Sequence, residues 1–252
     1  MDHIMCGTKF IGRVLAGVLA VAAVFASASS AAAVVAVDVG HSLAKPGSTS
    51  ASGKAEFEYN RALAEDVIAE LAANGIQTRA IGLDGGMDVL TARTEVARGA
   101  DLFLSIHHDS VQPQYLQMAD RFSGYGVFAS RTNPDPLTSF SCAKAIADRL
   151  QAAGRSPSLH HAEPIKGENR PLADVQRGVY WFDDLVVLKT ATQPAVLVEA
   201  AIIVNPNEDR MISDARNRRA IASAIAAGVS TCLPTAWCDA AGLCGRFQVR
   251  IR

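Results

Sequence analysis

The segment AVLVEAAIIVNPN, residues 195–207, carries a single acidic residue, Glu199, in the middle of an apolar run. An apolar run of this length, ended by turn-forming Asn and Pro, is typical of a strand that is covered on both faces. A carboxylate inside such a strand is partly buried, and buried carboxylates are usually paired, metal-bound or catalytic. Glu199 is therefore a candidate catalytic residue, with a salt-bridged carboxylate at a strand end as the alternative.

Two other apolar runs end in side chains that can bind a metal. VVAVDVGH closes on His41, and DLFLSIHHD closes on His107, His108 and Asp109. Three buried strands that each deliver a polar group at the same end are the pattern of an active site along one edge of an α/β sheet.

The composition indicates a globular protein without an electrostatic surface for nucleic acid. The chain has 252 residues, of which 49% are hydrophobic and 19% charged, and a net charge of -1. Such a chain buries a full core and does not resemble a disordered protein. Because it has neither a basic field nor a nucleic-acid-binding motif, we expect no nucleic-acid partner.

Residues 1–33 have the pattern of a secretory signal peptide. Lys9 and Arg13 precede a short apolar run, and small residues follow it around Ala28, where we expect cleavage. A transmembrane anchor is the alternative, but the uncharged run barely reaches the roughly 20 residues that a span needs. We therefore expect export to the periplasm or the extracellular space, without a stable membrane anchor after cleavage.

Four cysteines remain after the leader: Cys142, Cys232, Cys238 and Cys244. An even number of cysteines in an oxidising compartment favours disulfides. A disulfide from Cys232 to Cys244 or from Cys238 to Cys244 would crosslink the short tail at residues 231–252. Zinc binding by this tail is disfavoured because its spacings are not C-x-x-C.

Strands alternate with helices along the chain, which predicts one α/β domain over residues 34–230. The predicted strands are 34–39, 76–81, 101–106, 125–129 and 195–203. Predicted helices cover about 56–74, 89–98, a segment from Thr138 or Ser139 to about 153, and 215–229. Residues 155–171, rich in Pro, His and charge, are expected to form a surface loop with His160 and His161 exposed rather than bound to metal.

The polar residues at the strand ends combine into a plausible metal enzyme. Two imidazoles and one carboxylate, from His41, His107 and Glu56, would make a three-ligand Zn²⁺ site with a fourth position for water. Glu199 would then take the proton of the metal-activated water and return it to the leaving amine. These four residues describe a zinc amidase or peptidase, although Glu56 could also be an ordinary acidic residue at a helix start.

Four ordered motifs make the chain similar to a known family. They are D-x-G-H at residues 38–41, Glu56 with Asn60 four residues later, an Arg-led helix running into S-I-H at residues 93–107, and P-A-V-L-V-E at residues 194–199 with Asn205 following. Over residues 34–229 the chain resembles the N-acetylmuramoyl-L-alanine amidase type 3 family, the zinc amidases of bacterial cell walls.

The resemblance implies roles for the same four residues. His41, Glu56 and His107 would be the zinc ligands and Glu199 the catalytic carboxylate. The fold would be a mostly parallel or mixed twisted sheet flanked by helices on both faces. The substrate would be peptidoglycan, cut at the amide between N-acetylmuramic acid and L-alanine. From the sequence we also expect a monomer, whose targeting to the cell wall comes either from a regulatory or targeting protein or from the domain itself.

The chain departs from the family pattern after its ligands. Ser42-Leu43 and Ala200-Ala201-Ile202 replace glycine-containing stretches, and His108-Asp109 follows His107 where a small residue and Asn are usual. We expect His107 to be the ligand because it keeps the Ser-Ile-His register of the family motif. Adjacent strand side chains point to opposite faces, so we do not expect both histidines to reach one metal. His108 could be a substitute ligand, a substrate contact or a packed neighbour.

Two other functions remain open from the sequence. The same metal site could serve a zinc peptidase or a deacetylase that acts on another cell-wall bond. The chain could also be a cell-wall binding module that has lost catalysis, since the glycine replacements would alter the shape of the site.

Overall fold

Strands and helices alternate in the computed structural model, which describes residues 32–233, 236–238 and 244–246. The strands are β1 Val34–Val39, β2 Gln77–Ile81, β3 Leu102–Asp109, β4 Gly126–Ala129, β5 Leu172–Asp174, β6 Val179–Trp181, β7 Ala195–Ile202, β8 Ala236–Cys238 and β9 Cys244–Arg246. The α-helices are α1 Glu56–Ala73, α2 Leu90–Val96, α3 Pro136–Ala152, α4 Val186–Thr190, α5 Pro206–Ser213 and α6 Ala215–Cys232. Short 3-10 helices cover Pro113–Arg121 and His160–Ala162.

The predicted leader lies almost entirely outside the described residues. Within those residues, the structure contains no helix that combines the length and the apolar character needed to cross a membrane.

Seven strands form one mixed sheet in the order β2-β1-β3-β7-β4-β6-β5. The four strands from β2 to β7 in this order run parallel, whereas β4 pairs antiparallel with β7. Parallel neighbours end at the same edge of a sheet, so β1, β3 and β7 bring their carboxyl ends together. The predicted α/β class with a mixed sheet is confirmed.

Both faces of the sheet are covered, because alternate residues of its strands point to opposite sides. In β1, Val35, Val37 and Val39 belong to the larger core, which also contains the apolar faces of α1, α3 and α6. Ala36 points the other way, into a smaller core that includes Val187 and Leu188 of α4. The expected helices on both faces are therefore present.

Most boundaries differ from the predicted ones by one to three residues, and two of the differences have a structural reason. Strand β3 continues beyond residue 106 to Asp109, so the polar residues are part of the strand itself. Helix α3 begins at Pro136, and its N-cap is Asp135, whose carboxylate accepts a hydrogen bond from the Thr138 backbone N–H. The predicted cap at Thr138 or Ser139 is wrong because proline is well suited to the first helical position and moves the helix start forward.

A disulfide joins Cys142 of α3 to Cys232 at the end of α6. The predicted bridge from Cys232 to Cys244 is therefore wrong: the packing of α3 against α6 gives Cys232 a partner 90 residues earlier in the chain. Cys238 and Cys244 lie opposite each other in the β8–β9 backbone pairing. A bridge between these two stays a prediction.

Replacement of Cys232 by serine tests the contribution of this bridge. We expect Cys232→Ser to lower the free energy of unfolding by about 2–4 kcal/mol, because the open chain gains conformational entropy in the unfolded state. Denaturant unfolding measures the change. Wild-type protein unfolded under reducing conditions is the control and should match the variant; equal stability of the variant and the oxidised wild type would contradict the bridge.

Candidate active site

The carboxyl ends of β1, β3 and β7 position the polar residues of a cleft. Strand pairing sets Val39 beside Ile106 and His107 directly beside Glu199. His41 follows two residues after the end of β1, where the Gly40 backbone N–H still donates to the Ile106 carbonyl at 3.0 Å. The sheet register therefore delivers these side chains to one edge.

The structure brings together the three residues predicted to bind metal. His41 Nε2 lies 3.0 Å from Glu56 Oε1, and His107 Nδ1 lies 3.2 Å from the same oxygen. All three donor atoms are within 4.8 Å of one another. Two imidazole nitrogens and one carboxylate oxygen facing a common point are a donor set suited to Zn²⁺.

Glu56 is a buried acid in the first turn of α1, only 3% exposed. Its Oε2 accepts a hydrogen bond from the Ser48 backbone N–H at 3.1 Å, and its Oε1 accepts one from the Asn60 side chain at 3.1 Å. Burial raises the pKa of Glu56, but hydrogen bonds and charge from His107 and His41 outweigh it and hold that pKa well below its usual range. Glu56 is therefore ionised, as a metal ligand must be.

The backbone around His41 is held by Arg93 of α2. His41 has a left-handed φ of 68°, which is uncommon for a residue with a side chain. The Arg93 guanidinium donates to the carbonyls of His41 and Met87. It also forms a buried ion pair with Asp38 at 2.7 Å. Arg93 thus fixes the turn that presents the His41 ring to the cleft.

Two glycines leave the space that the side chains of His107 and Glu56 occupy. A Cβ atom on Gly40 would lie 2.3 Å from His107 Nε2, and one on Gly47 would lie 2.5 Å from Glu56 Oε2. Both distances are shorter than the 3.0 Å below which Cβ atoms essentially never approach another heavy atom. Gly47 also has a φ of 78°, which side chains disfavour. Glycine is therefore required at both positions for this packing of the site.

Glu199 stands in the cleft wall with an unsatisfied carboxylate. Its Oε2 is inaccessible to solvent and has no hydrogen-bond partner among the described residues. Burial, with the nearby negative charges of Asp109 and Glu56, raises the pKa of Glu199 well above its usual value. The cleft has a volume of about 550 Å³ and is lined by all four predicted site residues. Glu199 and Glu56 therefore share a cleft, but their pKa values are shifted in opposite directions.

His108 lies outside the three-residue group. It is 1% exposed, and its Nδ1 lies 2.8 Å from the Asn60 Oδ1, while its ring lies 5.7 Å from that of Tyr59. Burial lowers the pKa of His108 to about 3, so the ring is neutral. His108 orients Asn60, which in turn bonds to Glu56.

The prediction that His160 and His161 are exposed on a surface loop is wrong. They are only 6% and 8% exposed, because residues 160–170 fold back against the cleft. His161 Nε2 lies 2.9 Å from Asp109 Oδ2, and its Nδ1 lies 2.7 Å from Glu168 Oε2. Burial lowers the pKa of His161, but the two carboxylates more than offset it and raise that pKa to about 9.

Sequence reasoning did not identify Glu168, Gly47 or the positioning contacts of Asn60 and Arg93. The last two occur in motifs that carry the family resemblance, but only the structure gives their partners. Glu168 has no comparable signal, because it lies in an irregular segment and reaches the site through His161.

Comparison with known proteins identifies the family of the chain. A family model described as N-acetylmuramoyl-L-alanine amidase matches residues 35–231. The chain is 29% identical over 219 residues to N-acetylmuramoyl-L-alanine amidase AmiA of Escherichia coli strain K12, covering 78% of this chain and 74% of the relative.

Two solved structures share the fold. The amidase Ami1 from Mycobacterium smegmatis has a TM-score of 0.65 and 23% identity, and the alignment covers 79% of this chain and 96% of that chain. An N-acetylmuramoyl-L-alanine amidase from Clostridium difficile 630 has a TM-score of 0.66 and 21% identity, with coverage of 80% and 97%. Because the family model spans most of the sequence, the chain belongs to the N-acetylmuramoyl-L-alanine amidase family.

Proposed function

We propose that this amidase is a zinc enzyme that cleaves the amide between N-acetylmuramic acid and L-alanine in peptidoglycan, with Glu199 as its general base and acid. The observation that carries the proposal is the meeting of His41 Nε2, Glu56 Oε1 and His107 Nδ1 within 4.8 Å, in a cleft that also contains Glu199. The substrate class is inferred from the family, and the identity of the metal is inferred from the donor atoms.

The three residues fit a zinc ion in both chemistry and space. His41, Glu56 and His107 would hold it, and Asn60 fixes the Glu56 carboxylate by a hydrogen bond at 3.1 Å. When bound, Zn²⁺ would lower the pKa of a water ligand and polarise the carbonyl of the scissile amide. Three protein ligands leave a further position open, as catalytic zinc sites require.

Glu199 moves the proton. Its carboxylate takes a proton from the attacking water, and the raised pKa of Glu199 makes the protonated form stable enough to persist. The same group then gives this proton to the amine of L-alanine as the carbon–nitrogen bond breaks. Among the residues that the structure describes, no hydrogen bond to its Oε2 competes with this transfer.

We further propose that the protein works outside the cytoplasm. Residues 1–33 would direct export, residues 34–230 would form the catalytic domain and residues 231–252 a cysteine-containing tail. A monomer with a separate regulatory or targeting partner fits a chain in which a single domain accounts for most of the sequence.

Product analysis on intact peptidoglycan tests the bond that is cleaved. We expect whole stem peptides with a free L-alanine amino group, and glycan strands that keep their length. Mass spectrometry of the soluble products measures both. Release of shortened peptides would instead indicate a zinc peptidase, and release of acetate a deacetylase.

Glu199→Gln tests the proton transfer. The amide side chain keeps the shape but cannot accept the proton of water, so we expect turnover to fall by at least about 10²-fold. Zinc content should stay at the wild-type value, because Glu199 is not a ligand. Glu58→Gln, on an exposed acid of α1, is the control; wild-type activity in Glu199→Gln would remove Glu199 from the mechanism.

A pair of alanine variants tests the choice of ligand in β3. His107→Ala should empty the zinc site, since it deletes one of three donors. His108→Ala should keep the ion, because Asn60 still bonds to Glu56 and to the Gly40 carbonyl. Metal analysis of both variants after gel filtration identifies the ligand. If His108→Ala loses zinc and His107→Ala keeps it, the ligand is His108 and not His107.

A further inference from the structure

A second group of metal-binding side chains lies beside the active site. Asp109, His160 and His161 each offer one donor atom, and these atoms lie within 4.8 Å of one another. Asp109 Oδ2 is 3.3 Å from His160 Nε2 and 2.9 Å from His161 Nε2. The two imidazole rings are only 4.0 Å apart. The amidase mechanism uses none of these three residues.

The outer nitrogens of both rings are already fixed by hydrogen bonds. His160 Nδ1 lies 2.9 Å from the Ser158 hydroxyl, and His161 Nδ1 lies 2.7 Å from Glu168 Oε2. Histidines that bind metal use one nitrogen for the ion and bond the other to a carboxylate, a carbonyl or a similar partner. In both residues the nitrogen that remains is Nε2, and both Nε2 atoms face Asp109.

His160 supplies an independent sign that a ligand is expected. It is 6% exposed, and its Nε2 is buried and makes no hydrogen bond among the described residues, because the 3.3 Å contact with Asp109 Oδ2 lacks hydrogen-bond geometry. A buried polar atom without a partner is costly unless something binds it. Burial lowers the pKa of His160, so its ring is neutral and Nε2 has a lone pair to offer.

We propose that Asp109, His160 and His161 form a second Zn²⁺ site, distinct from the site at His41, Glu56 and His107. The ion takes the place of the proton that His161 Nε2 shares with Asp109, and that proton leaves to solvent. Neutral imidazoles and a carboxylate then supply two nitrogen donors and one oxygen donor, a set that suits zinc.

The position of this site suggests what the ion does. Asp109 belongs to β3, whereas both histidines belong to the segment at residues 160–170, which folds over the cleft. A shared ion would tie this segment to the sheet. Because Asp109, His161 and Glu168 all line the active-site cleft, the second zinc would fix the position of one wall of this cleft. The inference does not depend on the proposed function of the first site.

Zinc counting on the purified protein tests the second site. The protein is stripped with chelator, dialysed against micromolar zinc chloride and analysed by inductively coupled plasma mass spectrometry. We expect two zinc ions per chain in the wild type, one in His160→Asn and one in His107→Ala. The double variant should bind none.

The His160→Asn substitution is chosen to remove a single atom from the site. The asparagine amide can take the place of Nδ1 and keep the bond to Ser158, while Nε2 is lost. Ser158→Ala is a second variant, which keeps all three ligands and should weaken only the second zinc, by about 10–100-fold. Circular dichroism and the melting temperature, measured without zinc, establish that each variant is folded.

Two results would overturn the second site: a single zinc in the wild type that His107→Ala removes, or two zinc ions in His160→Asn. Unchanged affinity for both ions in Ser158→Ala would also contradict the bonding scheme. The zinc counts of the two variants distinguish a wrong second site from a wrong first site. If His107→Ala keeps two ions while His160→Asn loses one, the second site stands and the proposed catalytic zinc site fails.

Discussion

The parallel pairing of β1, β3 and β7 is the constraint on which the site depends. Backbone hydrogen bonds fix the register, so His107 lies beside Glu199, and His41 emerges from the neighbouring strand at the same edge. The helix that follows β1 then brings Glu56 back to this edge at its first turn. Residues far apart in sequence therefore meet at one edge of the sheet.

Burial gives the two glutamates of the cleft different chemistry. Glu56 accepts hydrogen bonds and faces two imidazoles, which keep the pKa of Glu56 low and its carboxylate ready to bind a cation. Glu199 is buried near the negative charges of Asp109 and Glu56, and its Oε2 has no hydrogen-bond partner in the part of the chain that the structure describes, so the pKa of Glu199 rises. Acid and base roles in one site are commonly separated in this way, by environment rather than by residue type.

The strands and the main site residues could be predicted because their signals are local. Apolar runs mark β1, β3 and β7, and the polar residues that end the first two runs and interrupt the third mark the active edge. Contacts between residues far apart in the sequence leave no local pattern from which they could be predicted. Burial of His160 and His161 depends on Asp109, and pairing of Cys142 with Cys232 depends on how α3 packs against α6. Neither follows from residue spacing.

The central claim is that His41, Glu56 and His107 bind one zinc ion at the ends of these strands. A crystal of the zinc-loaded protein, measured on both sides of the zinc absorption edge, tests it most directly. If these residues bind zinc, an anomalous difference peak lies among His41 Nε2, Glu56 Oε1 and His107 Nδ1. A zinc-loaded crystal without a peak at that point would contradict it.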